Sequence, residues 1–315
     1  LAGAPALVMA VDRYADCVVR ITDRGTSAGP VPGWHFSSSG FMSTPSRLTR
    51  AELIGAIPPD PASPAHLAWQ VLAALDTARL PAGGVVTIDT RSFYQRDQKL
   101  GVGSSAAVCV ALYGAYCATL GLSNDPAQAA AIHHRLQGGQ GSGIDIAAAC
   151  FGGLLRFERP AGATDAVVAQ ARLPEGLQVG FVWVGHAAQT TSHLQRFAAW
   201  RERGGRTELE ALTEAARALF ETEDWLPGLQ RYVHRLQQLD AAAGLGIYEN
   251  AHSALDRVAR MGGVVYKPCG AGGGDIGAAF SFDLGALERF MTTARDRGFT
   301  PIKLETAAHG IQVSR

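Results

Sequence analysis

Hydrophobic and polar positions switch repeatedly between a strand-like and a helix-like period along the chain, which predicts interleaved strands and helices. Residues 6–21 read as extended, with alternation around Val18, Val19 and Ile21, and a Gly/Pro/Ser-rich stretch to Pro45 reads as a long connection. Over 63–80, Leu67, Val71, Leu72 and Leu75 recur at helical spacing between Pro64 and Pro81, so a helix is expected there. A strand over 85–88, a polar loop over 91–99 and a glycine turn at 101–105 then lead into an apolar helix. A helix over 125–136, a second glycine turn at 138–143, a helix from Ile144 and a strand over 154–157 follow. The 160–165 segment, rich in Pro, Gly and Ala, reads as a linker and sets one cut between 162 and 163. Beyond it the pattern predicts a strand over 177–184, helices over 208–220, 226–242 and 251–261, and a strand from Val264. A third glycine loop, a strand over 278–282, a helix over 284–297 and strands over 301–304 and 311–313 complete the expectation. Both halves mix helix and strand, so the fold class expected is α+β, two layers side by side, with no internal repeat.

Composition narrows the chemistry. Lys+Arg and Asp+Glu balance at 28 each, and only 18% of residues are charged, so no broad field draws nucleic acid or an anionic membrane. Any anionic ligand must be held locally. Among the basic residues only Lys99, Lys267 and Lys303 are lysines, and the first two stand beside glycine-rich loops. The five cysteines are widely spaced with no CxxC pair, which suits reduced packing residues in a cytoplasmic protein. The start, Leu1-Ala2-Gly3-Ala4-Pro5, has no charged leader segment and no initiator Met, so an incomplete start is expected. The uncharged run 106–122 is built of Ala, Gly, Cys, Thr and Tyr, and is expected as a buried helix rather than a membrane span.

Three glycine-rich sites carry the candidate chemistry. The first, Lys99-Leu100-Gly101-Val102-Gly103-Ser104-Ser105-Ala106-Ala107, places a close-approach backbone before a helix whose free N–H groups suit phosphate. Ser104 and Ser105 can cap that helix or bind Mg²⁺, and the spacing matches neither a Walker A loop nor a dinucleotide fingerprint. The second, Gly138-Gly139-Gln140-Gly141-Ser142-Gly143-Ile144-Asp145, ends in a carboxylate at a helix start, favoured there by the dipole or placed as an acid, base or orienting group. The third, Lys267-Pro268-Cys269-Gly270-Ala271-Gly272-Gly273-Gly274-Asp275, has more glycine than a hairpin needs. Close approach to a ligand or to another backbone explains it, and Lys267 and Asp275 either bind ligand or pair with each other.

This ordered set resembles the three signatures of the GHMP kinases. The motifs are Gly101 to Ala107, then Gly141-Ser142-Gly143-Ile144-Asp145 with Gly152-Gly153, then Lys267 to Asp275, and Gly3-Ala4-Pro5-Ala6-Leu7-Val8 with Asp12 looks like the end of the family's first conserved segment. Val102 replaces the commoner Leu of the phosphate loop. Lys99, the Gln137-Gly138 pair and the Gly-Ala-Gly-Gly-Gly-Asp loop are most similar to the phosphomevalonate kinase branch. So is His134, beside His133, where mevalonate kinases carry a magnesium-binding Glu.

The resemblance implies a nucleotide-binding domain (1–162) and a ferredoxin-like, substrate-side domain (163–315), acting with ATP and Mg²⁺ on a small phosphorylated or hydroxylated acid, as a monomer or homodimer. It implies that Gly101, Val102, Gly103, Ser104, Ser105 and Ala106 cradle the nucleotide phosphates, with Ser104 or Ser105 near the metal. Lys99 and Asp145 carry catalysis, Asp145 as a base or an orienting group. Ser142, Gly143, Lys267, Gly270, Ala271, Gly272, Gly273, Asp275, Thr190 and Thr191 fall on the substrate side, the last two in a polar loop over 183–192. A mevalonate kinase, another small-molecule kinase of the family and a catalytically silent ligand sensor are the alternatives.

Overall fold

A computed structural model describes residues 3–22, 33–40, 45–49, 52, 65–75, 81, 83–95, 98–139, 141–160, 163, 165–188 and 190–314. Most of the long connection before Pro45, both ends of the 63–80 helix and part of the 160–165 segment lie outside the described residues. In chain order the strands and helices are β1 (Ala6–Met9), β2 (Asp16–Ile21), β3 (Trp34–Ser39), β4 (Ser46–Leu48), α1 (Ala65–Ala73), β5 (Gly84–Asp89), β6 (Tyr94–Gln95), β7 (Gln98–Lys99), α2 (Ser104–Leu120), α3 (Pro126–Leu136) and α4 (Ile144–Phe151). There follow β8 (Leu154–Glu158), β9 (Val167–Gln170), β10 (Gln178–Trp183), α5 (Thr190–Glu202), α6 (Thr207–Glu221), α7 (Trp225–Ala243), α8 (Ala251–Met261), β11 (Val265–Pro268), β12 (Ile276–Ser281), α9 (Leu284–Asp296) and β13 (Thr300–Ile302).

The chain forms two compact units that interleave in sequence: Leu1–Leu7, Gln95–Val102 and Leu155–Glu305 make one, and Val8–Tyr94, Gly103–Leu154 and Thr306–Arg315 the other. The sequence suggested one cut between 162 and 163. Here the chain passes between units inside the first glycine loop, at Val102–Gly103.

In the unit that holds 103–154, β2, β5, β3 and β4 form a sheet in that order, with β3 and β5 parallel and the other pairs antiparallel. Along β5 the side chains alternate, Val86 and Ile88 inward and Val85 and Thr87 outward, as a strand with one covered face requires. Trp34 and Phe36 of β3 join Val71 and Leu72 of α1, Leu112 and Tyr116 of α2, Ile132 of α3 and Ile146 of α4 in one core. α2 is apolar nearly all round because it is buried nearly all round, which explains a charge-free helix without a membrane. Among the described residues no helix is long and apolar enough to cross a membrane. α3 starts where Asp125 accepts the Ala127 N–H and Pro126 occupies the first turn.

The other unit contains a wholly antiparallel sheet in the order β11-β12-β10-β13. The elements run β10, helices α5 to α8, the β11–β12 hairpin, α9 and β13, so the topology is the ferredoxin-like split β-α-β. Leu255 and Ala259 of α8 and Phe290 and Ala294 of α9 pack on Val182, Tyr266 and Ala279 of this sheet. The third glycine loop is the turn of the β11–β12 hairpin.

Four local expectations change. The 91–99 stretch is not a plain loop: Arg91–Phe93 form a 3₁₀ turn, with the Arg91 Nε held at 3.0 Å by the Asp89 carboxylate, and β6 and β7 make a small ribbon. The strands on either side of the 160–165 stretch, β8 and β9, pair antiparallel with each other. Residues 190–202 are a helix where a polar loop was expected up to Ser192. Residues 311–313 form no strand, because a tail can satisfy apolar positions by docking: Ile311 joins the core around α2, its Cδ1 lying 2.2 Å from where a Cβ on Gly114 would stand.

Candidate active site

Two helices of the unit that holds residues 103–154 begin on left-handed glycines. Gly103 (φ 79°, ψ 25°) precedes α2 and Gly143 (φ 81°, ψ 0°) precedes α4, and neither cap position has a side chain that can bond the helix. Neither serine acts as an N-cap on α2. Ser104 is buried, as is Ala106, while Ser105 is exposed, with its Oγ 3.3 Å from His133 Nε2. Burial lowers the His133 pKa, so the ring is neutral at neutral pH, and its Nε2 either accepts the hydroxyl proton or donates to the hydroxyl oxygen according to the tautomer. Ser142 accepts the Ile144 N–H at 3.3 Å, which settles one first-turn amide of α4. The remaining first-turn N–H groups and the aligned peptide dipoles make both starts favourable to negative charge.

Asp145, in the first turn of α4, brings the two starts together. Its Cβ and Cγ lie 3.9 and 4.0 Å from where a Cβ on Gly103 would stand, so the side chain stands beside the first glycine turn. The side chain keeps accessible surface, yet desolvation by the protein around it raises its pKa above the usual carboxylate range. His134 Nδ1 donates to the Gly141 carbonyl at 3.1 Å and ties α3 to the second glycine turn.

Lys99, Gly101 and Val102 belong to the other unit, with the third loop. Lys99 is exposed at the end of β7, and Val102 is half-buried. Gly101 (φ 75°) meets Asp275 so closely that a Cβ there would stand 2.0 to 2.4 Å from the carboxylate atoms. Asp275 itself is left-handed (φ 58°), a conformation for which Asp is one of the tolerant residues. Its N–H donates to the His186 carbonyl at 2.8 Å, its carbonyl accepts the Val184 N–H at 3.0 Å, and Oδ1 accepts the Ala188 N–H at 3.2 Å. Burial raises its pKa, while the Ala188 N–H, Lys99 and His186 pull it back.

Lys267 does not pair with Asp275; its ammonium donates to the Pro268 carbonyl at 2.8 Å. The glycine excess in the third loop is largely structural. A Cβ on Gly272 would stand 2.5 Å from Ile247 Cγ2, one on Gly273 2.7 Å from the His193 ring, and one on Gly274 2.6 Å from the Ala188 nitrogen, whereas Gly270 has open space. Three imidazoles then hold the loop's carbonyls: His186 Nε2 to Gly273 at 3.0 Å, His193 Nδ1 to Ala271 at 3.1 Å, and His252 Nε2 to Gly274 at 2.9 Å. Sequence reasoning had missed His193 and His252, which no motif or periodicity marks. Thr190 and Thr191 open α5, and their side chains lie outside the described residues.

His252 is fully buried, and its Nδ1 lies 2.8 Å from the Tyr266 hydroxyl. Since Nε2 must donate to a carbonyl, Nδ1 of the neutral ring accepts the Tyr266 proton. Burial lowers its pKa to about 4. The unfolded chain therefore binds a proton here that the native protein refuses between pH 6.5 and about 4, and stability falls as the pH drops through that window. We expect His252→Gln to remove a pH-dependent contribution on the order of 3 kcal/mol. Urea unfolding of both proteins at pH 8 and pH 4 checks this; equal losses in the two proteins would contradict it.

Comparison with known proteins bears on what these arrangements do. Residues 66–153 match the family described as GHMP kinases N terminal domain. The whole chain is 29% identical to a phosphomevalonate kinase of Streptomyces sp. (strain CL190), over 98% of this chain and 93% of that protein. A Lin0012 protein from Listeria innocua superposes with a TM-score of 0.80 at 20% identity, covering 97% of this chain and 92% of the other. Streptococcus pneumoniae phosphomevalonate kinase, solved in complex with phosphomevalonate and AMPPNP, superposes with a TM-score of 0.75 at 18% identity, covering 97% and 94%.

Proposed function

Because this chain is a kinase of the GHMP superfamily, we propose that it transfers the γ-phosphoryl group of ATP to the phosphate of phosphomevalonate, giving diphosphomevalonate and ADP. The observation that carries this reading is the Asp145 side chain standing beside Gly103, where two helices begin on glycines and favour anions. In it, the backbone of Gly101, Val102, Gly103, Ser104, Ser105 and Ala106 receives the ATP phosphates. Lys99 draws the donor and acceptor phosphates together against their mutual repulsion. An oxygen of the acceptor phosphate bonds to the γ-phosphorus as the bond to the ADP oxygen breaks. That acceptor is already an anion, so Asp145 has no proton to remove and acts by orienting its neighbours.

The exposed Ser105 hydroxyl and the Asp145 carboxylate are hard oxygen donors of the kind Mg²⁺ takes. Among the described residues no group of three His, Cys, Asp or Glu side chains could hold a metal alone. When bound, Mg²⁺ neutralises charge on the β- and γ-phosphates. Ser105→Ala is then expected to raise the Mg²⁺ concentration for half-maximal rate about tenfold, and an unchanged requirement would assign Ser105 to packing.

We place Ser142, Gly143, Lys267, Gly270, Ala271, Asp275, Thr190 and Thr191 on the acceptor side, with Gly272 and Gly273 serving to pack the loop. A cytoplasmic setting agrees with five free cysteines. The reading is tested by ADP release from ATP and Mg²⁺ with phosphomevalonate, with mevalonate and with no acceptor. Release with phosphomevalonate alone is expected. Release with mevalonate alone would make His134 a false guide, and release with neither would favour another acceptor or a silent sensor.

A further inference from the structure

We propose that Asp275 is a positioning residue for Lys99: the third glycine loop holds its carboxylate against Gly101, and its charge sets where the ammonium stands. This rests on the phosphoryl-transfer reading above. A carboxylate in a loop that serves anionic ligands is unfavourable unless a cation faces it, and Lys99 and His186 are the cations or potential cations that act on Asp275. A plain hairpin turn would not need a left-handed Asp there, flanked by glycines packed hard against Ile247, His193 and Ala188.

The rigidity of the mount is the second observation. His186 follows β10, His193 lies on α5 and His252 on α8, so three separate elements donate to the carbonyls of Gly273, Ala271 and Gly274, just before Asp275. Asp275 is then bonded through its own N–H, carbonyl and carboxylate. This holds the carboxylate in the space that a side chain at Gly101 would fill, two residues beyond Lys99. Lys99 makes no direct salt bridge to Asp275, so the field of the carboxylate restrains the ammonium while its donors stay available to a ligand phosphate.

Asp275→Asn tests this, because Asn keeps the acceptor for the Ala188 N–H and tolerates a positive φ while removing the charge. We expect kcat to fall at least about tenfold, KM for ATP to change less than about threefold, and no further loss when the change is added to Lys99→Met. A second readout needs no substrate. Reductive ¹³C-methylation labels Lys99, Lys267 and Lys303, which are all the lysines, and keeps their charge. Lys99→Arg identifies the Lys99 signal, which should move in Asp275→Asn while the other two stay in place. An unmoved Lys99 signal, or the same fold-loss in the Lys99→Met background as in the parent, would overturn the proposal. Should the parent protein use neither acceptor, the function reading fails, and the lysine signals still decide the Asp275–Lys99 coupling.

Discussion

Asp145→Asn should lower turnover about 100- to 1,000-fold, the scale of losing one preorganised charged group at a reacting centre, while leaving ATP affinity within a few-fold. The same substitution should make the protein more stable. The folded-state pKa of Asp145 lies above its unfolded value, so holding the charge costs stability at every pH above both, and the cost fades as the pH falls through the ordinary carboxylate range. Asparagine keeps the shape and carries no charge to desolvate. A melting temperature above the parent's at pH 7, with the gap closing toward pH 3, is the expected thermal record. Near-parent turnover would remove Asp145 from the mechanism, and a lower melting temperature at pH 7 would contradict the electrostatics.

Gly101→Ala is expected to be the most damaging single change in the phosphate loop. A left-handed Ala costs about 1–2 kcal/mol in backbone energy. Beyond that, its Cβ would stand 2.0 Å from the Asp275 Cγ, so either the carboxylate leaves the Ala188 N–H or the loop moves. A displacement of about 1 Å at such a loop costs on the order of 100-fold in kcat/KM. Gly103→Ala supplies the comparison. It has almost the same φ, 79°, but its Cβ would meet nothing nearer than Asp145 at 3.9 Å, so it bears the backbone cost alone. Steady-state kinetics of the two variants should separate them by about tenfold or more; equal losses would mean that the Asp275 contact does not constrain the loop.

Much of this was legible in the sequence, for identifiable reasons. The turns at Gly101, Gly103 and Gly143 announce themselves because few residues other than glycine adopt their backbone conformations. α2 is legible as an uninterrupted apolar run, and α8 and α9 through strong one-sided patterns. α5 escaped because His193, Arg196, Arg201 and Glu202 dilute its apolar positions, although Phe197 and Trp200 at helical spacing, with rings 5.9 Å apart, were a usable signal. Ile311 to Val313 alternates like a strand, but the tail docks on a core instead of pairing.

The candidate site divides in the same way. Asp145 beside the first glycine turn follows from motif order, since two glycine-opened helices converge on it. Gly272, Gly273 and Gly274 look alike whether a ligand or a backbone comes close, and only packing shows that Ile247, His193 and Ala188 are what they accommodate. The three histidines contact the loop across 87, 78 and 22 residues of chain, a separation at which no local pattern operates. His133 was singled out only as the neighbour of His134, yet it is His133 whose ring meets Ser105.

The most direct test is a ³¹P NMR spectrum of the protein with ATP, Mg²⁺ and phosphomevalonate. The account predicts that the phosphomonoester singlet gives way to the coupled pair of doublets of a diphosphate ester, in step with conversion of ATP to ADP. A persistent singlet, with ATP intact or with ADP accompanied only by inorganic phosphate, would contradict it.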